Sequence, residues 1–308
     1  MKETIDLIVC NPAGNTTILV LSPAPISRYQ EITDAVLDID FKDGYGVQFT
    51  EENYDKEIKG EQVAFMLPDA DDGTGRMLPA MNMCGLEFCG NASRSFAYYR
   101  AVNANPPLKE IMVKVSGCDY PLVAEIDSEN KDAKIQMPLP HEAARFTAEQ
   151  LGLADRYPDM TEAILVDMDG ISHLVLKDVE PSPELFEELK GLFYPASMKV
   201  DGASETDGAL IGDFPAMGVM FIDTKTDIMT PVVYVHDVDT TYFEGSCASG
   251  TTAASFVLAM DLPDGTHKLT FRQPAGTLYT EVQKESGQIK EIKLNGLVEL
   301  SDIITVEI

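Results

Sequence analysis

Met83-Cys84-Gly85-Leu86-Glu87-Phe88-Cys89-Gly90-Asn91-Ala92-Ser93 is the stretch on which the reading of this chain turns. A second stretch, Glu244-Gly245-Ser246-Cys247-Ala248-Ser249-Gly250-Thr251-Thr252, has the same character. In each, a cysteine is followed by small residues and then by an apolar helical run: Phe96-Ala97-Tyr98-Tyr99 after Cys89, and Ala253 to Leu258 after Cys247. Small residues let a turn open a helix with its amide N–H groups unblocked. A thiol there feels the positive end of the helix dipole, which favours thiolate. The same N–H groups hold carboxylates. The two cysteines stand about half a chain apart, which suggests two similar halves facing each other. The competing reading is two buried cysteines acting as small hydrophobes.

Composition narrows the function classes. The 308 residues are 44% hydrophobic and 24% charged, as expected of a soluble globular protein with one large or two ordinary cores. No run of eighteen apolar residues predicts a membrane helix, and the start carries no basic-then-apolar signal region. Five cysteines, an odd number, in a chain of this size point to a reducing, cytoplasmic setting. A net charge of −28 argues against nucleic acid and anionic membrane as partners. The expected partner is a small amino acid or related carboxylate, bound by a monomer or homodimer.

In chain order, residues 5–9 and 17–21 read as a hairpin around Asn11-Pro12-Ala13-Gly14-Asn15. Residues 28–37 read as a helix capped by Ser27, and 45–49 and 63–67 as strands flanking an acidic stretch at 51–61. A loop tip at 69–75 leads to the first cysteine turn, whose helix runs to about Val102 before Pro106 and Pro107. Strands follow at 111–115, 122–126, 134–137, 162–168 and 172–175, the last two joined by Asp169-Gly170. A helix at 183–193, strands at 218–221 and 232–235, and a helix from Cys247 to about Met260 come next. Strands at 268–272, 279–282, 291–294 and 303–308 finish the chain. Many short strands with one cysteine-started helix per half give an α+β protein of two lobes, with a cleft between the helix ends.

Two sulfurs on opposite sides of a small ligand suit inversion of a carbon centre. One removes a proton from one face and the other delivers a proton to the opposite face. Free cysteine titrates near ~8.5 and falls to ~3.5–7.5 beside a helix N-terminus or cation, so one sulfur can be ionised while its partner stays protonated. Cys84, five residues before Cys89, is the alternative first base. Cys84 and Cys89 do not have metal-ligand spacing, so no metal is expected. Cys10 and Cys118 read as strand or turn residues. Glu87 and Glu244 precede the reactive turns and either tune a thiol, bind an ammonium group or are simply solvated. His173 reads as structural.

Cys89-Gly90-Asn91-Ala92-Ser93-Arg94-Ser95 resembles the first cysteine motif of diaminopimelate epimerase and related cofactor-independent amino-acid racemases. Cys247-Ala248-Ser249-Gly250-Thr251 resembles the second motif, and 11–20 resembles the opening strand with its Gly-Asn pair. The resemblance implies two similar lobes, each a curved mixed β-sheet around a central helix, with the last strand returning to the first lobe. The expected division is 1–118 plus about 296–308, and 119–295. It implies no cofactor, Cys89 and Cys247 as the catalytic pair, and Asn15, Asn82, Gly90, Asn91, Ala248, Ser249, Gly250 and Thr251 around the substrate.

The chain departs from diaminopimelate epimerase in three places. Ile171 replaces the asparagine of a Gly-Asn-Pro-His turn, Met217-Gly218 replaces a second asparagine, and residues 236–246 carry no arginine. These groups serve the distal ends of diaminopimelate, so a different amino acid is expected, such as histidine or a broad range. A double-bond isomerase of unsaturated carboxylic acids on the same scaffold is the first alternative, and a non-catalytic binding protein the second.

Overall fold

The structure is a computed structural model that describes residues 3–50, 57–168, 170–193, 216–236 and 239–308. Residues 51–56 of the acidic stretch, Asp169 of the Asp-Gly turn and 237–238 of the loop before Cys247 lie outside them. The elements in order are β1 (Thr4–Asn11), β2 (Thr17–Val20), α1 (Tyr29–Leu37), α2 (Phe41–Tyr45), β3 (Gln62–Asp71), β4 (Met77–Met83), α3 (Gly90–Val102), β5 (Glu110–Val115), β6 (Leu122–Asp127), β7 (Asp132–Gln136), β8 (Glu142–Thr147), β9 (Glu162–Met168) and β10 (Ile171–Lys177). Then come α4 (Pro183–Phe193), β11 (Ala216–Asp223), β12 (Ile228–Val235), β13 (Thr240–Phe243), α5 (Ala248–Met260), β14 (Gly265–Gln273), β15 (Gly276–Glu285), β16 (Gln288–Asn295), β17 (Glu299–Leu300) and β18 (Ile304–Glu307).

This is an α+β fold. Most neighbouring strands are antiparallel, with parallel pairs β2–β3, β4–β5, β10–β11 and β12–β14. The last strand, β18, lies antiparallel beside β1, pairing Leu7 with Ile304. Helix α3 packs on β5, β6 and β7, and helix α5 on β11, β15 and β16. Each helix has its own buried apolar cluster: Phe96, Ala97, Val113, Ile135 and Leu294 around α3, and Ala253, Val257, Met220, Val233 and Phe271 around α5. We infer that these two packing units are the lobes. On that reading β6 and β7 belong with α3, so the first lobe reaches past residue 118 to Met137, which shares its cluster.

Both central helices carry polar residues into the core, and both satisfy them locally. Ser93 Oγ donates to Cys89 O (2.7 Å), Ser95 Oγ to Asn91 O (3.0 Å), Thr251 Oγ1 to Cys247 O (2.6 Å) and Thr252 Oγ1 to Ala248 O (2.9 Å). Each hydroxyl bonds the carbonyl one turn back, so small polar residues are buried without orphaned donors. Their small volume lets strands approach the helix from several sides.

The far end of α5 is closed by Lys284 of β15. Its Nζ donates to Ala259 O (3.0 Å), Met260 O (2.7 Å) and Leu262 O (2.7 Å) and is buried. A cation at a helix C-terminus complements the dipole and pairs carbonyls that have no partner within the helix. Lys284→Met is expected to cost about 2–3 kcal/mol of stability, read as a lowered denaturation midpoint in urea with the far-ultraviolet spectrum retained.

Several local readings change. Residues 45–49 are not a strand. Asp40 Oδ1 accepts from Lys42 N (3.0 Å) and starts α2, which Gly46 ends at φ +70°. A pair of caps, Asp40 and Gly46, overrides the local strand preference of 45–49. Met77–Met83, read as a lead-in to the cysteine turn, is strand β4, whose partner β3 runs on to Asp71. Ser27 does not cap α1. A 3₁₀ turn over Ile26–Arg28 precedes that helix, whose N-cap position is Arg28. Strands β8 and β13 were not anticipated; all the residues of β8 are exposed or half-buried, so it shows no apolar alternation to read.

Candidate active site

Cys89 and Cys247 occupy the same local position in their helices. Each is the N-cap residue, in extended backbone, and each sulfur accepts from the third residue on: Ala92 N to Cys89 Sγ at 3.5 Å and Gly250 N to Cys247 Sγ at 3.4 Å. The sulfur thus takes the place of the usual N-cap oxygen. Cys84 lies elsewhere, packed toward α1 with its sulfur 3.9 Å from Gln30 Oε1.

The helix ends meet. A Cβ built on Gly90 would stand 3.0 Å from the Cβ of Ala248 and 2.7 Å from Met137 Cε, so a larger residue here would push on both. Asn91 Nδ2 reaches across to Ser246 O at 3.4 Å. Gly14, at φ +89°, sits against Ala275, and Ala275 N donates to Gly245 O at 2.9 Å. Arg94, fully buried, fastens α3 to both chain ends through Pro12 O (3.1 Å) and Gly296 O (2.6 Å) and touches Asn91 Oδ1 (3.4 Å).

Around Cys89 runs an amide network. Its thiol donates to Gln62 Oε1 at 3.0 Å. Gln62 Nε2 donates to Asn15 Oδ1 (2.5 Å) and Thr17 Oγ1 (2.8 Å), Asn91 Nδ2 also reaches Asn15 Oδ1 (3.0 Å), and Asn15 Nδ2 donates to Glu61 Oε2 (2.9 Å). Glu61 lines a cavity of about 340 Å³ with Gly14, Thr16, Glu57, Lys59, Gly245 and Ala275, beside the site; neither cysteine lines it. Around Cys247, Gln273 Oε1 accepts from the Cys247 amide (2.8 Å), Ser249 Oγ lies 3.6 Å from the sulfur, and His173 Nε2 lies 3.0 Å from Ser249 Oγ.

The electrostatics follow from burial and two carboxylates. Burial pushes the Cys89 thiol up to about 12, and Glu87 and Glu244 add to it against the helix N–H groups. Burial pushes Cys247 well above the ordinary thiol range, with Glu244 both repelling and hydrogen-bonding it. Glu244 is itself raised to about 7, mainly by burial, with repulsion from Glu61 adding and the bond to Cys247 opposing. Glu61 is raised by burial against its bonds from Asn15 and the Thr16 amide. Burial holds His173 neutral, down to about 3. One carboxylate, Glu244, therefore acts on both sulfurs.

Most of the residues singled out from the sequence gather here: Cys89, Gly90, Asn91, Asn15, Cys247, Ala248, Ser249 and Gly250, with Thr251 turned into the core of α5. Asn82 does not join them. Its neighbours Met81 and Met83 point into the α3 cluster, so Asn82 faces the other side of β4, opposite Phe65, which stacks on Tyr29. Gln62, Glu61 and Gln273 were missed. They sit at strand ends far in sequence from either cysteine, with no motif to mark them.

Residues 4–303 match the histidine racemase CntK N-terminal domain family. The chain belongs to this family. It is 29% identical over 257 residues to a histidine racemase of Fusobacterium nucleatum subsp. nucleatum, covering 83% of this chain and 81% of that one. Its fold is similar to a hydroxyproline epimerase of Agrobacterium vitis with bound trans-4-hydroxy-L-proline (TM-score 0.54, 13% identity, 99% and 92% of the chains). It is likewise similar to a methylitaconate-delta-isomerase (TM-score 0.55, 12% identity, 100% and 96%). The two structural likenesses establish fold alone. Family membership makes the protein an isomerase of the racemase/epimerase class, as the cysteine motifs led one to expect, and not a passive binding module.

Proposed function

We propose that this protein racemises histidine at the α-carbon with Cys89 and Cys247 as the two acid–base groups. The observation that carries the reading is a pair of carboxylates: Glu244, raised by burial and acting on both sulfurs, and Glu61, whose charge repels it. Glu244, raised by burial and by repulsion from Glu61, awaits a cation, and histidine brings an ammonium group and an imidazole. The relatives named as histidine racemases support the same choice.

In the free site both sulfurs rest as thiols. When an ammonium group enters beside them, the Cys247 S–H bond breaks and its proton passes to the hydrogen-bonded Glu244 carboxylate, forming an O–H bond there, while the ammonium charge and the N–H groups of the α5 first turn hold the thiolate. That thiolate takes the α-proton: the C–H bond breaks, an S–H bond forms, and the electron pair moves toward the substrate carboxylate. The facing thiol gives its proton to the opposite face of the same carbon, its S–H bond breaking as the new C–H bond forms. The developing charge on the carboxylate is met by helix N-terminal amides. In the reverse direction the sulfurs exchange roles. The scheme needs no cofactor.

Incubating the purified protein with L-histidine in D₂O, with no cofactor added, is expected to give D-histidine and α-deuterium at comparable rates. Loss of optical rotation with another amino acid but not histidine would reassign the substrate. Absorbance changes with unsaturated di- or tricarboxylates, without loss of rotation in any amino acid, would overturn the reading in favour of double-bond isomerisation.

A further inference from the structure

The two sulfurs are not held alike. Cys89 donates its proton to Gln62 Oε1, and that amide is locked in orientation. Its Nε2 is committed to Asn15 Oδ1 and Thr17 Oγ1. Asn15 Oδ1 is in turn fixed as an acceptor, because it also receives Asn91 Nδ2 while Asn15 Nδ2 serves Glu61. The oxygen of Gln62 therefore faces the sulfur, and a turned-over amide would break the network. A carbonyl oxygen accepts from a thiol and repels a thiolate. At Cys247 the neighbouring groups differ in kind. Glu244 can itself take up a proton, and Ser249 Oγ, backed by His173, can donate to the sulfur.

The geometry points to Gln62 as a positioning residue, one that holds Cys89 in the thiol form and so makes it the acid of the resting site, leaving the base's role to Cys247. This rests on the two-sulfur reading above. Among the groups facing Cys89, three favour the thiol, and the amides of the α3 first turn oppose them, the Ala92 amide more strongly than either carboxylate acts. Gln62 comes from the start of β3, Glu87 from the loop before α3 and Glu244 from the loop before α5; only the Asn91 and Ala92 amides of α3 favour thiolate. The resting enzyme then takes up first the enantiomer whose α-hydrogen points to Cys247, and Gln62 fixes that choice.

The test uses two variants at one position. Gln62→Met and Gln62→Glu both lose the Nε2 donor to Asn15 and Thr17, but only Gln62→Glu keeps an acceptor at the sulfur. The full-length protein is alkylated with iodoacetamide from pH 6 to 10, and the Cys89 and Cys247 peptides are quantified separately by mass spectrometry. Gln62→Met is expected to speed Cys89 alkylation at pH 8 by about fivefold, and Gln62→Glu to slow it, with Cys247 unchanged in both. The alkaline limb of kcat/KM for Gln62→Met moves to lower pH. Equal changes at Cys89 in the two variants, parallel changes at Cys247, or no change at either sulfur would each overturn the assignment. Alkylation reads the thiols without turnover, so failure here is distinct from failure of the racemase reading, which the D₂O experiment decides.

Discussion

Cys247→Ala and Cys89→Ala are each expected to lower histidine racemisation by about 10³-fold or more, because general acid–base groups contribute on the order of 10²–10⁴ each and the reaction needs both at once. The two losses should not multiply in the double variant, since a missing acid already strands the proton removed by the base. The single variants differ in a way that a merely damaged fold would not produce. With Cys89 gone, Cys247 still faces one side of the carbon, so α-deuterium should wash slowly into one enantiomer without inverting it. With Cys247 gone, the same should hold for the other enantiomer. Proton NMR of each enantiomer in D₂O reads both the exchange and the configuration. Substantial racemisation in both single variants would remove the two-sulfur mechanism. Each change is smaller than the native side chain at a half-buried or buried N-cap, so circular dichroism should show the helices retained.

Glu244→Gln is expected to divide activity from stability. The carboxyl is buried and raised from an ordinary value to about 7. A carboxylate whose folded value lies above its unfolded one costs nothing below the unfolded value, and its cost grows as pH rises from there to the folded value and is full above it. The penalty therefore grows from about pH 4.5 to 7 and is full at pH 8, on the order of 3 kcal/mol. Replacing the group by a neutral isostere removes it, so Glu244→Gln should melt higher than the native protein at pH 8 and equally at pH 4. Racemisation should fall by about 10²-fold, because the neutral amide neither attracts the ammonium group nor exchanges a proton with Cys247. A stability gain coupled to an activity loss is the mark of a group kept for chemistry. Equal melting points at pH 8 would show that Glu244 is not charged against a cost in the folded protein.

Much of this was legible before any coordinates. The small residues after Cys89 and Cys247 announced two helix starts, and both helices begin at the next residue and end within a residue or two of the positions expected. Helix starts are local: they depend on a cap and on residues one turn ahead, all contiguous in the chain. The strand from 45 to 49 failed for the converse reason, because a helix started by Asp40, outside that window, runs into it and ends at Gly46. Asn82 failed through the pleat: adjacent side chains of a strand point to opposite faces, and nothing local says which face is the site.

The sequence by itself determined the pair of cysteine-capped helices and, through their motifs, the class of chemistry. What surrounds each sulfur was decided only by the tertiary structure. Gln62 reaches Cys89, Glu244 acts on Cys89 as well as on its near neighbour Cys247, and Glu61 meets Asn15; apart from Glu244 and Cys247, these join segments tens to more than a hundred residues apart. A thiol's proton affinity is set by burial and by charges within a few ångströms, and those are fixed by how strands and helices pack, which no local stretch of sequence encodes.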